Sequence, residues 1–472
     1  MLLSTDHTDL ADRTDLANHN VRAPSSVLDF AARGASAPRH PDVHLVETSA
    51  GPHAFVVNGS QIYGLEATAA DLLQQALAAD DREAVDHLLI QLGVILPPLI
   101  DDQPVASPPL RSLSLAVAQK CNLGCSYCYA QQGEFGGSAK TMSVEQALRA
   151  VDLLLRDAEP GARVNLAFLG GEPLANRAGV RAATEHAARL AAAAGVDIRF
   201  SITTNGTLLT PEDGDFFERH GFAVTISLDG IADAHDRQRP FKNGAPSFAK
   251  IIARVEPLLA RQRRMQVSAR VTVTPSNLDL VGTLEGLIAL GFHSVGFSPM
   301  LSSPTGLGEM DEASLEVMLT RMIDCGRRFE ARVIAGVRYP FSNMVTALRE
   351  LHAGTHRPYP CGAGAGYLGV SAEGGLYACH RFVDDPHAAM GSVDKAIDAD
   401  LRNTWLAERH VHRQEPCRQC WARYLCGGGC HHEVIHRGRP ACGYIRGWLH
   451  YCLQAYVHLR AAAPNYFAPG EA

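Results

Sequence analysis

The sequence predicts an α/β chain built on a partial (β/α)6, TIM-like barrel, with a small N-terminal α+β module before it and a Cys-rich domain after it. Three observations carry this expectation. Between Arg111 and Met300, short β-branched or apolar runs at 113–119, 164–169, 198–204, 223–228, 267–274 and 293–298 alternate with helical patterns. Six β-α units in series imply a parallel sheet curling toward a barrel. At 472 residues the chain exceeds one core, so two or three domains are expected. Finally, ten of the twelve cysteines fall into two groups, 121–128 and 361–442. In a reducing compartment such grouping points to metal or cluster ligation rather than to disulfides.

Taken in order, residues 1–40 are rich in Asp, Ala, Ser and His without periodicity and read as disordered. Residues 41–105 contain a hairpin near 44–48 and 54–58 and amphipathic helices at 67–77 and 82–92. Pro97, Pro98, Pro104, Pro108 and Pro109 mark the linker that follows. This module carries no catalytic signature and reads either as a peptide-docking unit or as a stabilising cap. The barrel occupies 111–310. Within it Ser143 and Gln146 form a capping box, and Thr210-Pro211 opens a helix with proline at its first position. Function is expected at the C-terminal strand ends. A helical linker spans 311–354, and 355–450 is a Gly- and Cys-rich domain that needs metal sites as staples. A helix and tail occupy 451–472. The net charge of −7 leaves no basic excess for a nucleic-acid backbone. The acidic N-terminus lacks the charge and apolar core of a signal peptide, and no run is long enough to span a membrane. A cytoplasmic location is expected.

Cys121-x3-Cys125-x2-Cys128 lies straight after the first barrel strand. A closed structural zinc site takes four ligands, whereas a four-iron cluster held by three cysteines leaves one iron open. Tyr127 adds an aromatic side chain suited to lie against a nucleoside. Cys325 and Cys452 sit singly in helical patterns and read as small buried hydrophobes. The run Cys-Asn-Leu-Gly-Cys-Ser-Tyr-Cys resembles the C-x3-C-x-aromatic-C signature of radical S-adenosylmethionine (SAM) enzymes. Gly170-Gly171-Glu172-Pro173 looks like that family's GGEP element, which holds the methionine amino group. Thr204-Asn205-Gly206 and Ser227-Leu228-Asp229-Gly230 resemble its ribose-contacting positions, and Arg270 sits where the family places a cation for the methionine carboxylate. An anion and a cation suit a zwitterionic amino acid, and glycines allow close backbone approach.

The second group, Cys361-x12-Gly374-x4-Cys379 followed by Cys417-x2-Cys420-x5-Cys426-x3-Cys430 and Cys442, resembles the SPASM extension that carries two auxiliary clusters. By that resemblance Cys417, Cys420, Cys426 and Cys442 ligate one cluster, and Cys361, Cys379 and Cys430 the other. The cofactors implied are three 4Fe-4S clusters and SAM. Two full auxiliary clusters need eight cysteines and seven are available. One iron is therefore open to a substrate thiolate unless Cys452 closes it. Two other readings overlap here: His432-Glu433-Val434-Ile435-His436 fits the H-E-x-x-H zinc signature, and the C-x2-C pair permits a zinc ribbon.

The resemblance implies reductive cleavage of SAM to a 5′-deoxyadenosyl radical that oxidises a peptide or small protein substrate, itself Cys-rich. An electron donor such as a flavodoxin or ferredoxin is implied as a second partner. Two outcomes compete: a thioether crosslink from cysteine sulfur to carbon, or conversion of a sulfatase cysteine or serine to formylglycine. In sulfatase maturases an Asp follows the cysteine that matches Cys379; here it is His380. The Cys379-His380-Arg381-Phe382 stretch and the run after Cys426 resemble maturases of quinohemoprotein amine dehydrogenase. Candidate bases are Asp236, His235, His380 and Glu433. A non-enzymatic metal-binding scaffold is the alternative of a different class.

Overall fold

A computed structural model describes residues 41–94 and 99–468. The segment 1–40 and the linker residues Pro97 and Pro98 lie outside the described residues. The chain opens with an antiparallel sheet of β1 (Val43–Thr48), β2 (Gly51–Val56) and β3 (Gln61–Gly64), followed by α1 (Ala67–Ala78) and α2 (Arg82–Gln91). The third strand, only four residues long, was not expected from the sequence; too few residues alternate there to register as a pattern.

The barrel then runs β4 (Ser112–Gln119), β5 (Lys140–Thr141), α3 (Val144–Leu155), β6 (Arg163–Gly170), α4 (Arg177–Ala194), β7 (Asp197–Thr204), α5 (Pro211–His220), β8 (Ala223–Ser227), α6 (Asp233–Gln238), α7 (Phe248–Leu259), β9 (Gln266–Val273), α8 (Leu280–Ala289) and β10 (Ser294–Pro299). Its six parallel strands lie in the order β10-β9-β8-β7-β6-β4, the partial barrel expected. Alternation along the strands sorts the two faces. In β9, Val267, Ala269, Val271 and Val273 are buried under the helices, while Ser268, Arg270 and Thr272 take the other face. Polar neighbours on that face bond across strands: Asn165 Nδ2 donates to Ser112 Oγ (3.2 Å), and Ser294 Oγ to Ser268 Oγ (2.8 Å). That face is polar at these positions and apolar where Ala116 and Leu169 meet Val383.

The helical stretch 312–352 is two helices, α9 (Glu312–Ile334) and α10 (Ser342–His352). Gly336, in a left-handed conformation (φ 70°), ends the first, and Pro340 precedes the second. The Cys-rich region does not stand apart as its composition suggested. β11 (Tyr367–Val370) pairs parallel to β4, and β12 (Gly375–Tyr377), β13 (Ala389–Ser392) and β14 (Ala396–Ile397) extend the same sheet. Next come α11 (Ala399–Arg409), α12 (Arg423–Cys426), α13 (His431–Arg437) and α14 (Cys442–Ala462). The expected boundary at 450 falls inside α14, whose buried Trp448, Cys452, Leu453 and Leu459 belong to one core shared with α9. The N-terminal sheet docks on this region. Trp421 stacks on His44 with ring centroids 3.7 Å apart, and Arg423 binds the Pro41 carbonyl, the Asp42 carboxylate and Asn58. Among the described residues no helix is long and apolar enough to cross a membrane.

Capping follows the sequence in one of two places. Thr210 and Asp213 form a full capping box with Pro211 inside it. Ser143 caps the Gln146 amide, but the Gln146 side chain donates to the Glu373 carbonyl instead of closing the box. Asp213 is 2 % exposed and also accepts from Arg177 Nε at 2.9 Å and Arg181 Nη2 at 3.3 Å. Asp213→Ala is expected to cost about 2 kcal/mol, read as a lower urea midpoint, because it removes a cap and leaves Arg177 without its carboxylate partner.

Candidate active site

The loop after β4 is pinned from two sides. The Gly124 amide donates to the Pro240 carbonyl (2.8 Å), and Asn205 Nδ2 donates to Asn122 Oδ1 (2.9 Å). Glycines let three backbone segments meet beneath it: a Cβ on Gly171 would lie 2.4 Å from the Lys120 carbonyl and 2.7 Å from Gly133 Cα. Burial chiefly, and with it the closeness of Cys128, raises the pKa of the other two thiols: Cys121 is pushed up, Cys125 to about 12. Thiols held neutral this way shed their protons on binding a metal centre. Three of them with no fourth fit a four-iron cluster with one open iron.

The predicted SAM contacts gather at the strand ends around this loop. Glu172 is fully buried, and its carboxylate accepts from the Leu174 amide (3.0 Å), Thr204 Oγ1 (2.7 Å) and the Asn205 amide (2.8 Å). Burial raises its pKa against those bonds. One acceptor position of the carboxylate is left for a ligand. Pro173 follows within the same turn, preceded by Gly170 and Gly171 at the end of β6. Asp229 is likewise fully buried; it accepts from the Thr272 amide (2.9 Å) and faces Arg239 Nη1 at 3.6 Å. The Tyr127 hydroxyl donates to Asp229 and accepts from Arg239 (2.7 Å), so this side chain is anchored by its phenol. Ser227 pairs with Arg270 across β8 and β9. Arg270 is enclosed by protein yet reached by solvent, as a group lining the lumen is. Its guanidinium bonds Ser298 and lies near Glu433 and Tyr444 of the Cys-rich domain. Arg270 is thus set toward that domain, and Arg239 is the cation beside Cys125. Sequence pattern does not single out Arg239, which shares a charged stretch with Arg237, Asp233 and Asp236.

Of the candidate bases, two hold the fold. Asp236 Oδ1 accepts from the Ser247 and Phe248 amides (2.7 and 2.8 Å), capping α7. His235 accepts the Asp229 amide at Nδ1 and lies 3.0 Å from Ser247 Oγ. His380 Nδ1 is 2.6 Å from Tyr367 Oη, with its pKa lowered to about 4 by burial. Glu433 accepts from Arg381 Nη1 at 2.7 Å.

Seven further thiols form two sets. Cys417, Cys420, Cys426 and Cys442 line one cavity, which Cys430 also borders; burial raises the pKa of Cys417, Cys420 and Cys426, and Cys442 adds to each. Burial likewise raises Cys361, Cys379 and Cys430, and Cys430 adds to the first two. Cys452 is fully buried on α14 and faces Glu330 and Tyr444 instead. Among the described residues, no three His, Cys, Asp or Glu side chains close to the spacing that holds a single metal ion. A four-iron cube is wider than one ion, so its ligands stand further apart. His432 and His436 do share the short helix α13, ring centroids 4.4 Å apart, but Arg437 ends it and no third ligand joins them.

Residues 115–285 match the Radical SAM superfamily. The barrel is a radical SAM domain. As such it binds SAM and a 4Fe-4S cluster. A serine-type anaerobic sulfatase-maturating enzyme of Klebsiella aerogenes is 28% identical over 359 residues, covering 73% of this chain and 85% of that protein. Mycofactocin maturase MftC of Mycolicibacterium smegmatis is 26% identical over 349 residues, covering 71% and 83%. Among solved structures, native anSMEcpe with bound AdoMet superposes with a TM-score of 0.62 at 21% identity, over 76% of this chain and all of that one. SuiB of Streptococcus suis bound to precursor peptide SuiA gives 0.51 at 14%, over 86% and 98%. At these identities the two structures speak for the fold.

Inside the radical SAM domain, burial and then Arg239 lower the His235 pKa to about 3. The unfolded chain binds that proton near pH 6.5, so the stability His235 contributes is complete above that pH and is lost as pH falls below it. Going from pH 7.5 to 5 is expected to cost about 2 kcal/mol at this residue. In urea titrations His235→Gln should flatten the acid limb of the pH profile by that amount; an unchanged limb would refute the assignment.

Proposed function

We propose that this radical SAM enzyme is a maturase that joins a cysteine sulfur of a peptide or small protein to a carbon of the same chain as a thioether. The observation that carries this reading is the three-thiol set of Cys361, Cys379 and Cys430, with Cys452 turned away from it. A cluster on three protein thiols has one iron free for a thiolate of the substrate. The relatives support a peptide or protein as the substrate, since they include sulfatase-maturating enzymes, a mycofactocin maturase and SuiB with a precursor peptide.

In this reading Cys121, Cys125 and Cys128 hold the SAM cluster, Cys417, Cys420, Cys426 and Cys442 a closed auxiliary cluster, and the remaining three thiols an open one. When bound, these groups supply a 5′-deoxyadenosyl radical that removes a hydrogen atom from substrate carbon, and take up the one electron released as the sulfur, its thiol proton lost, bonds to that carbon. The chain's own part is positional. Glu172, Thr204, Asn205, Ser227 and Asp229 present acceptors and donors at the strand ends, and Gly170 and Gly171 let backbone come close. Tyr127 is held by Asp229 and Arg239 beside the loop. Arg270 presents a cation in the lumen for a carboxylate. The buried C-terminal ends of the strands keep bulk water from the reacting carbon. A flavodoxin or ferredoxin as donor and a cytoplasmic setting complete the proposal.

A second reading, formylglycine formation, is favoured by the 28% identity to a sulfatase-maturating enzyme. His380 counts against it, standing where those enzymes carry an Asp. Co-expression with a small Cys-rich polypeptide encoded beside the gene separates the two. A mass loss of two hydrogens per crosslink, with those thiols resistant to alkylation, is expected for the thioether. An aldehyde-bearing product, or no change with a SAM-cleaving enzyme, would sink it. In parallel, Cys121→Ala should abolish SAM cleavage while about eight of about twelve irons remain; zinc without acid-labile sulfide would sink the enzyme reading itself.

A further inference from the structure

Arg381, two residues after Cys379, crosses from the Cys-rich domain to the barrel loop. Its Nη1 lies 2.7 Å from Glu433 Oε1 and 3.8 Å from Cys430 Sγ, and its Nη2 is 3.4 Å from the Ser302 carbonyl beyond β10. The guanidinium carbon stands 5.4 Å from the ring centre of Tyr129, the residue after Cys128. Both members of the Arg381–Glu433 pair are 16 % exposed, so neither charge is well screened. Arg381 Nε has no hydrogen-bond partner although it is buried. One side chain therefore touches a thiol of the open auxiliary set, the acid next to it, and the aromatic neighbour of the SAM-cluster loop.

We propose that Arg381 is a positioning residue that sets the reduction potential of the centre held by Cys361, Cys379 and Cys430, with Glu433 as the opposing charge that limits its effect. This rests on the reading that those thiols hold a cluster. The physical argument is one of sign. Reduction adds an electron to the cluster and its thiolates. A cation at Cys430 Sγ favours the reduced form and raises the potential, while an anion behind it lowers the potential. A raised potential suits a centre that must accept an electron when the carbon–sulfur bond closes. The stacking on Tyr129 holds the guanidinium in place between the two cluster loops.

The test is a redox titration of the anaerobically reconstituted full-length enzyme, followed by electron paramagnetic resonance. Arg381→Met is expected to disfavour reduction of one auxiliary centre at least tenfold, 59 mV for one electron. Glu433→Gln is expected to move the same centre upward, and each should shift the SAM cluster by less than it shifts that centre. Damage to packing would not produce opposite signs from two halves of one ion pair. Arg381→Lys, which keeps the charge, should stay within about threefold of wild type and decides the matter if the Met variant loses iron. Unmoved potentials, or shifts of the same sign, at about twelve irons per chain would overturn the proposal. Wild-type enzyme with about eight irons would instead overturn the cluster reading on which it rests.

Discussion

Strand β4 is the constraint on which the site depends. It lies between β6 and β11, so the barrel and the Cys-rich domain hang from opposite edges of one backbone. Its last residue, Gln119, is fully buried. The side-chain amide donates to Asp384 at 2.8 Å and accepts from the Ala372 amide at 2.8 Å, both in the Cys-rich domain. Two residues later comes Cys121. The loop that presents the first three thiols is therefore registered against both domains before any cofactor binds. An unsatisfied buried amide would be costly, and this rigidity follows from its pairing.

Electrostatics is organised by burial more than by net charge. In each of the three thiol groups a buried cysteine (Cys125, Cys379 and Cys417) has its pKa raised mainly by desolvation. Neutral thiols crowded in cavities are a poor core. Binding an inorganic centre replaces those protons and ties the loops together, which makes cofactor uptake part of folding. The same loops carry Trp421 and Arg423, which dock the N-terminal sheet. Order at that auxiliary site and order at the N-terminal module are thus mechanically linked.

Two buried guanidinium groups divide the charge of the site. Arg239 serves the loop side, compensated by Asp229 and held to Tyr127. Arg381 serves the auxiliary side, compensated by Glu433. Arg270, between them in the lumen, bonds only a serine hydroxyl among the contacts described. An accessible cation on a largely polar strand face is suited to a charged substrate group or to the carboxylate of SAM.

What the sequence determined by itself was whatever depends on local pattern. Apolar runs of period two bounded by turn residues marked all six barrel strands to within a residue or two. Spacing of cysteines after a strand marked the SAM loop, because its three thiols lie together in one short segment, 121–128. Long-range pairing has no such local trace. Nothing in residues 367–397 announced that β11 would join β4 and carry the Cys-rich domain into the barrel sheet. Nor did spacing distinguish Asp236, drawn off to cap a helix, from Glu433, turned toward the lumen beside Arg381 and Arg270. Which charged side chain meets which is set by the packing of elements far apart in the chain, and only the tertiary structure decided it.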